Sequence, residues 1–85
     1  MFMKDKDRLY MQDETGKTIA EIDYPENPAG VFTITHTYTD PCLRGKGIAG
    51  KLVEAAVEDI KSRGGKVRAT CWYAAEWLEK YPDKS

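Results

Sequence analysis

One stretch constrains this chain more than any other: Thr37-Tyr38-Thr39-Asp40-Pro41-Cys42-Leu43-Arg44-Gly45-Lys46-Gly47-Ile48-Ala49. It reads as strand, turn, basic glycine-rich loop and first helical turn. Gly45 and Gly47 lack a Cβ, so the backbone there can bend sharply and approach a ligand closely. The first N–H groups of the following helix have no partner within the helix. Together with the positive end of the helix dipole they favour a phosphate, and Arg44 and Lys46 add two positive charges.

Two common phosphate loops are excluded. Ile48 follows Gly47 where a Walker A loop has a Gly-Lys pair and then Ser or Thr. Gly45, Gly47 and Gly50 formally match the dinucleotide fingerprint, but no βαβ unit with an acidic ribose partner follows.

The flanks give the rest of the architecture. Arg8–Gln12 is expected as a strand, residues 13–17 as a turn, and Thr18–Tyr24 as a strand with Ala20, Ile22 and Tyr24 on one face. Residues 25–30 form a second turn. Val31–Tyr38 is β-branched and aromatic, so a single strand is predicted. One face would carry Phe32, Ile34, His36 and Tyr38. From Ile48 to about Arg63 the period becomes helical, with Ile48, Leu52, Val53, Ala56, Val57 and Ile60 in one stripe. Gly64 and Gly65 end that helix. Lys66–Cys71 is predicted to return as a strand parallel to the one before the loop. A last helix runs from Ala74 to about Tyr81, and Asp83–Ser85 is expected to fray. The class is α+β: an N-terminal antiparallel meander, one βαβ crossover with parallel strands, and a short C-terminal helix.

Size and charge narrow the possible partners. At 85 residues the chain makes one small domain, residues 1–85, with one modest core. A net charge of −1 argues against general nucleic-acid affinity. No apolar run suits a membrane span, and Met1–Asp7 lacks the apolar stretch of a signal peptide. A cytoplasmic protein is therefore expected, with Cys42 and Cys71 as free thiols. No metal site is assigned. An exposed edge strand would suit a monomer or a weak homodimer.

Residues 31 to 81 resemble the GNAT superfamily of acetyl-CoA-dependent N-acetyltransferases. The carrier is Arg44-Gly45-Lys46-Gly47-Ile48-Ala49, which is similar to that family's Q/R-x-x-G-x-G/A pyrophosphate loop; Asp40-Pro41 precedes it and a helix with small residues follows. The resemblance implies a minimal GNAT-like fold whose two central parallel strands splay apart to admit the pantetheine arm. It also implies that Arg44 to Ala49 hold the pyrophosphate of acetyl-CoA or CoA, and that Thr37, Tyr38 and Thr39 bind pantetheine and polarise the thioester carbonyl. The implied reaction is attack of an acceptor amine, from a small molecule or a protein, on the thioester. Larger relatives carry one or two helices between their first two strands, where this chain has a five-residue turn, so the acceptor side is expected to be open.

The chain departs from the family pattern in its last helix. Leu78 stands where the resemblance implies an acidic tyrosine for the leaving thiolate, and Cys71 stands where it implies an asparagine. Cys71 is expected beside the thioester sulfur, as an acyl-accepting thiolate or as a half-buried structural cysteine. His36, the only histidine, has a side-chain type suited to a general base near neutral pH. The bland alternative is a packed histidine on an apolar face. Trp72, Tyr73 and Trp77 are candidates to line a groove or to cover the sheet. Cys42 is given no role. Three functions remain open at this point: an N-acetyltransferase, a non-catalytic acyl-CoA or CoA-binding module, and a different phosphate binder.

Overall fold

The computed structural model describes residues 2–82. The expected fraying of Asp83–Ser85 lies outside the described residues. Among the described residues nine elements follow one another: β1 (Met3–Asp5), β2 (Arg8–Gln12), β3 (Thr18–Asp23), β4 (Val31–Ile34), β5 (His36–Thr39), a 3₁₀ turn (Pro41–Leu43), α1 (Ile48–Ser62), β6 (Lys66–Ala69) and α2 (Trp72–Lys80).

Strands β1, β2, β3 and β5 form one antiparallel sheet in that order. Asp13 builds the β2–β3 turn: its Oδ1 accepts hydrogen bonds from the N–H groups of Thr15 and Lys17, at 2.9 and 3.1 Å. Strand β1 has no alternation in its sequence and is held through its ladder to β2. Lys4 on β1 also reaches Asp59 on α1, at 2.8 Å.

The predicted single strand Val31–Tyr38 is two strands in two sheets. β4 pairs in parallel with β6, from Val31↔Lys66 to Ile34↔Ala69. β5 pairs antiparallel with β3, from Asp23↔His36 to Ala20↔Thr39. The break is Thr35, whose N–H donates to Asp23 O at 3.0 Å, while Ile34 O accepts from both Thr70 and Cys71, at 3.0 and 3.2 Å. One irregular residue flips every later side chain to the other face of the sheet. Phe32 and Ile34 are therefore buried, whereas His36 and Tyr38 are exposed and it is Thr37 and Thr39 that follow Ile22 and Ala20 onto the core side. The expectation that His36 shares a face with Phe32 and Ile34 is corrected accordingly. The parallel partner of β6 is likewise β4, not the strand segment that enters the loop.

Helix α1 covers the sheet with Ile48, Leu52, Val53, Ala56, Val57 and Ile60, all buried. They meet Leu9, Ala20, Ile22, Tyr24, Phe32 and Ile34 in one core. Each fully buried aliphatic or Phe side chain contributes about 1.5–3 kcal/mol, against roughly 0.2–0.5 kcal/mol for an exposed i,i+4 pair. The apolar stripe, not surface charge, thus sets where α1 lies. The helix ends as the glycines require: Gly64 N–H donates to Lys61 O and Gly65 N–H to Ile60 O, the two bonds of a Schellman cap. α2 begins earlier than expected, at Trp72, and buries Ala74. No helix among the described residues is long and apolar enough to cross a membrane.

Candidate active site

The loop between β5 and α1 has the features of an anion site. Asp40 caps the 3₁₀ turn by accepting from Cys42 N–H at 3.0 Å. Those Cys42 bonds, with Lys17 Nζ 3.3 Å away, hold the Asp40 carboxyl down at about 2. The chain then turns through Gly45 and Gly47, at φ 81° and 70°. Gly47 is the N-cap of α1; no side chain caps the helix and no acidic residue lies in its first turn. A helix leaves the N–H groups of its first turn unpaired, and Gly47 and the side chains of Arg44 and Lys46 are exposed beside that turn. The Ile48 side chain is buried, which leaves only its backbone on the loop side.

The splay between the sheets supplies the second part. β5 is the edge of its sheet, because β6 leaves with β4. Asp40 N–H donates to Ile19 O. By the two-residue alternation of an antiparallel ladder, Tyr38 and His36 then direct their backbone groups toward β3. Thr37 and Thr39 turn theirs to the open edge.

Cys71 closes the apex of this gap. It is half-buried at the N-cap of α2, and its Sγ lies 3.7 Å from Thr37 Oγ1. Burial pushes its thiol up, but the N–H of Ala74, the Thr37 hydroxyl and the N–H of Tyr73 outweigh that and bring it below the usual thiol value. Cys42 behaves oppositely: its hydrogen bond to the Asp40 carboxylate, with some burial, raises it.

His36 lies on the far side of the same strand. Since neighbouring residues point to opposite faces, Thr37 faces the core and Cys71 while His36 faces out, beside Asp23 and Glu21. Nitrogen and carboxylate oxygens of these three come within 4.8 Å of one another. The Arg8 guanidinium stands 3.6 Å from Glu21 and 3.7 Å from Asp23. The structure therefore groups the expected residues in three places: Arg44 to Ala49 at the loop, Thr37, Thr39 and Cys71 at the gap, and His36 and Tyr38 on the outer face.

Two features were not read from the sequence. The carboxylates next to His36 depend on the β3–β5 register. α2 approaches α1 at Gly50, where a Cβ would make ordinary contact, 3.5 Å from Tyr73 Oη and 3.8 Å from Trp77 Nε1. The glycine was visible, but its neighbour was not. Leu78 is partly buried against the core, so its position on α2 carries no acid.

Known proteins resemble this chain in sequence and fold. A family model described as GCN5-related N-acetyl-transferase matches residues 8–85. A GCN5-like protein from Staphylococcus aureus, solved by NMR, superposes with a TM-score of 0.80 at 28% identity, covering 99% of this chain and 82% of that one. A Clostridium acetobutylicum protein crystallised with acetyl-CoA superposes with a TM-score of 0.62 at 24% identity, covering 87% of this chain and 55% of its own. Human Protein NATD1 is 31% identical over 52 residues, which are 61% of this chain and 46% of that protein. The chain thus matches a little under half the length of this curated relative.

Proposed function

The chain belongs to the GCN5-related N-acetyltransferase family, and from that premise we propose that it binds acetyl-CoA and transfers the acetyl group to an amine. The observation that carries this reading is the juxtaposition of an uncapped, acid-free helix start with an open strand edge that leads to Cys71. The loop suits a pyrophosphate through backbone N–H groups at Gly47 to Ala49 and through Arg44 and Lys46. The open edge suits a pantetheine arm, which carries amides that can pair with Thr37 and Thr39 as an added strand would. The acetyl-CoA complex of the Clostridium relative supports the same cofactor.

Acetyl-CoA supplies an activated thioester. In this reading the Thr37–Thr39 backbone, with Tyr38 between, aligns it and donates a hydrogen bond toward its carbonyl oxygen. The acceptor nitrogen attacks the carbonyl carbon, a C–N bond forms and the C–S bond breaks. The ammonium proton leaves to a base, the role this reading gives to His36, which faces outward beside Asp23 and Glu21. The thiolate departs without a tyrosine at position 78, as a thiol pKa of about 8.5 permits. The alternative covalent route would pass the acetyl group to the deprotonated Cys71 Sγ as the C–S bond to CoA breaks and the CoA thiolate leaves, and then to the amine as the Cys71 C–S bond breaks and frees its thiolate.

Leu78 favours a second reading, a module that binds CoA and no longer transfers efficiently. Titration calorimetry with acetyl-CoA and CoA, with ATP and NAD as controls, tests the cofactor. Thiol release in the presence of primary amines then separates transfer from binding. Binding of ATP or NAD in place of CoA would overturn both readings.

A further inference from the structure

The outer face of the four-stranded sheet carries side chains whose types and spacing suit a metal ion. Three neighbouring strands bring them together. Arg8 on β2 stands opposite Asp23 on β3, and Asp23 stands opposite His36 on β5. Glu21, two residues before Asp23, points to the same face. A ring nitrogen of His36 and one carboxylate oxygen each from Glu21 and Asp23 lie within 4.8 Å of one another. We propose that His36, Asp23 and Glu21 form a binding site for a divalent first-row transition metal ion, with Zn²⁺ as its representative.

Three observations carry it. The first is the donor set. An imidazole nitrogen with two carboxylate oxygens suits Zn²⁺ or its neighbours better than Mg²⁺ or Ca²⁺, which prefer oxygen alone. Three protein ligands with water in the fourth place are a common Zn²⁺ arrangement, and His36 is exposed, so water reaches it. The second is spacing. Bonds of about 2.0–2.2 Å put two ligand atoms of a tetrahedral ion roughly 3.4 Å apart, so the 4.8 Å cluster has to contract by only about 1.4 Å. Glu21 and Asp23 are partly exposed and can reach that spacing by side-chain rotation, with the strand ladder unmoved. The third is that the His36 imidazole has no hydrogen bond or ion pair with any other described side chain, although two carboxylates stand beside it.

Arg8 sets the charge of the site. Its guanidinium lies 3.6 Å from Glu21 and 3.7 Å from Asp23, and 4.5 Å from the centre of the Tyr10 ring. Arg8 therefore stays on the β2 side of the carboxylates, while His36 is on the β5 side. A carboxylate has two oxygens and can serve both neighbours. Arg8 offsets one of the two negative charges, which weakens the pull on a dication without filling the space beside His36. The site is separate from the thioester gap, because β5 points His36 to one face and Thr37, with Cys71, to the other. It does not rest on the cofactor reading. An ion held there would engage the imidazole to which the transfer scheme gives the base role.

The test titrates the untagged wild-type protein with zinc chloride by calorimetry, with magnesium chloride as the control. One equivalent of Zn²⁺ should bind, and Mg²⁺ should not displace it. His36 is the sole histidine, so proton–nitrogen NMR sees a single imidazole, and Zn²⁺ should shift one of its two nitrogens strongly. His36→Ala and Asp23→Asn should each weaken binding at least about tenfold, the smaller end of what partners of a metal site contribute. Arg8→Gln should tighten it, because a competing cation is removed. The chain's thiols, Cys42 and Cys71, are the other groups that could take Zn²⁺, so the titration is repeated in a Cys42→Ser, Cys71→Ser variant, where affinity should be unchanged. Loss of binding in that variant with retention in His36→Ala would overturn the site, as would a wild-type imidazole whose nitrogens do not respond to Zn²⁺. Zn²⁺ binding at His36 with acetyl transfer unaltered would remove His36 from the base role and leave the metal site standing.

Discussion

Replacing Gly47 by glutamate separates backbone strain from charge at the loop. Gly47 sits at φ 70°, where an L-residue costs about 1–2 kcal/mol. A Cβ there would meet nothing within 4 Å, so no steric cost is added. For a chain of this size, each kcal/mol moves Tm by about 4–8 °C. Gly47→Ala and Gly47→Glu should therefore unfold at similar temperatures, somewhat below wild type. Affinity should divide them. Two unit charges 4 Å apart interact by about 1 kcal/mol in water and about 4 kcal/mol at an effective dielectric of 20. An exposed loop lies between these limits, and about 2 kcal/mol corresponds to roughly a thirtyfold loss. Calorimetric titration with acetyl-CoA should show Gly47→Glu weaker than Gly47→Ala by that order, with the gap closing as salt is raised. Equal affinity of the two variants at low salt would refute the placement of a pyrophosphate at this helix start.

Other predictions concern the frame around the site. In Gly65→Ala the new methyl group would run into the Phe32 ring, which is buried and covered by the Arg63 guanidinium 4.5 Å from its centre. Overpacking should lower stability by about 1–3 kcal/mol in urea denaturation, and an unchanged midpoint would show that Phe32 yields freely. Asp40 has a carboxyl held at about 2 against an ordinary 3.8. Its contribution is thus present above pH 3.8 and lost as pH falls toward 2. Asp40→Asn should flatten the acid limb of stability in that window; a limb as steep as wild type would point to other carboxylates. Alkylation with iodoacetamide followed against pH should give a lower midpoint for Cys71 than for Cys42, because their shifts run in opposite directions. Acetyl-CoA should protect Cys71 alone, and protection of Cys42 would argue against the gap as the thioester site.

Much of the fold was legible because it rests on local rules. The β3 alternation, the α1 stripe and the Gly64–Gly65 stop each follow from periodicity or from backbone freedom, and each stands where expected. The loop was legible for the same reason, since basic residues, glycines and a helix start are adjacent in the chain. Less visible was the break at Thr35. The residues from Val31 to Tyr38 favour extended backbone throughout, and nothing local tells one strand from two that change partners. Strand β1 was missed because its ladder to β2, not its own pattern, holds Met3–Asp5 in place.

By itself, then, the sequence determined most of the strand and helix segments, the grouping of basic residues and glycines at a helix start, and that position 78 has no ionisable group. These depend on residues close together in the chain, whose period and side-chain chemistry act over a few positions. Only the tertiary structure decided that β5 turns away from β6, that His36 faces outward to Asp23, and that Cys71 meets Thr37. It also decided that Gly50 lies against Tyr73 and Trp77 of α2. The physical reason is register: one extra residue at Thr35 reverses which side chains reach the core, and that choice is made by hydrogen bonds to Asp23, Thr70 and Cys71, far away in sequence.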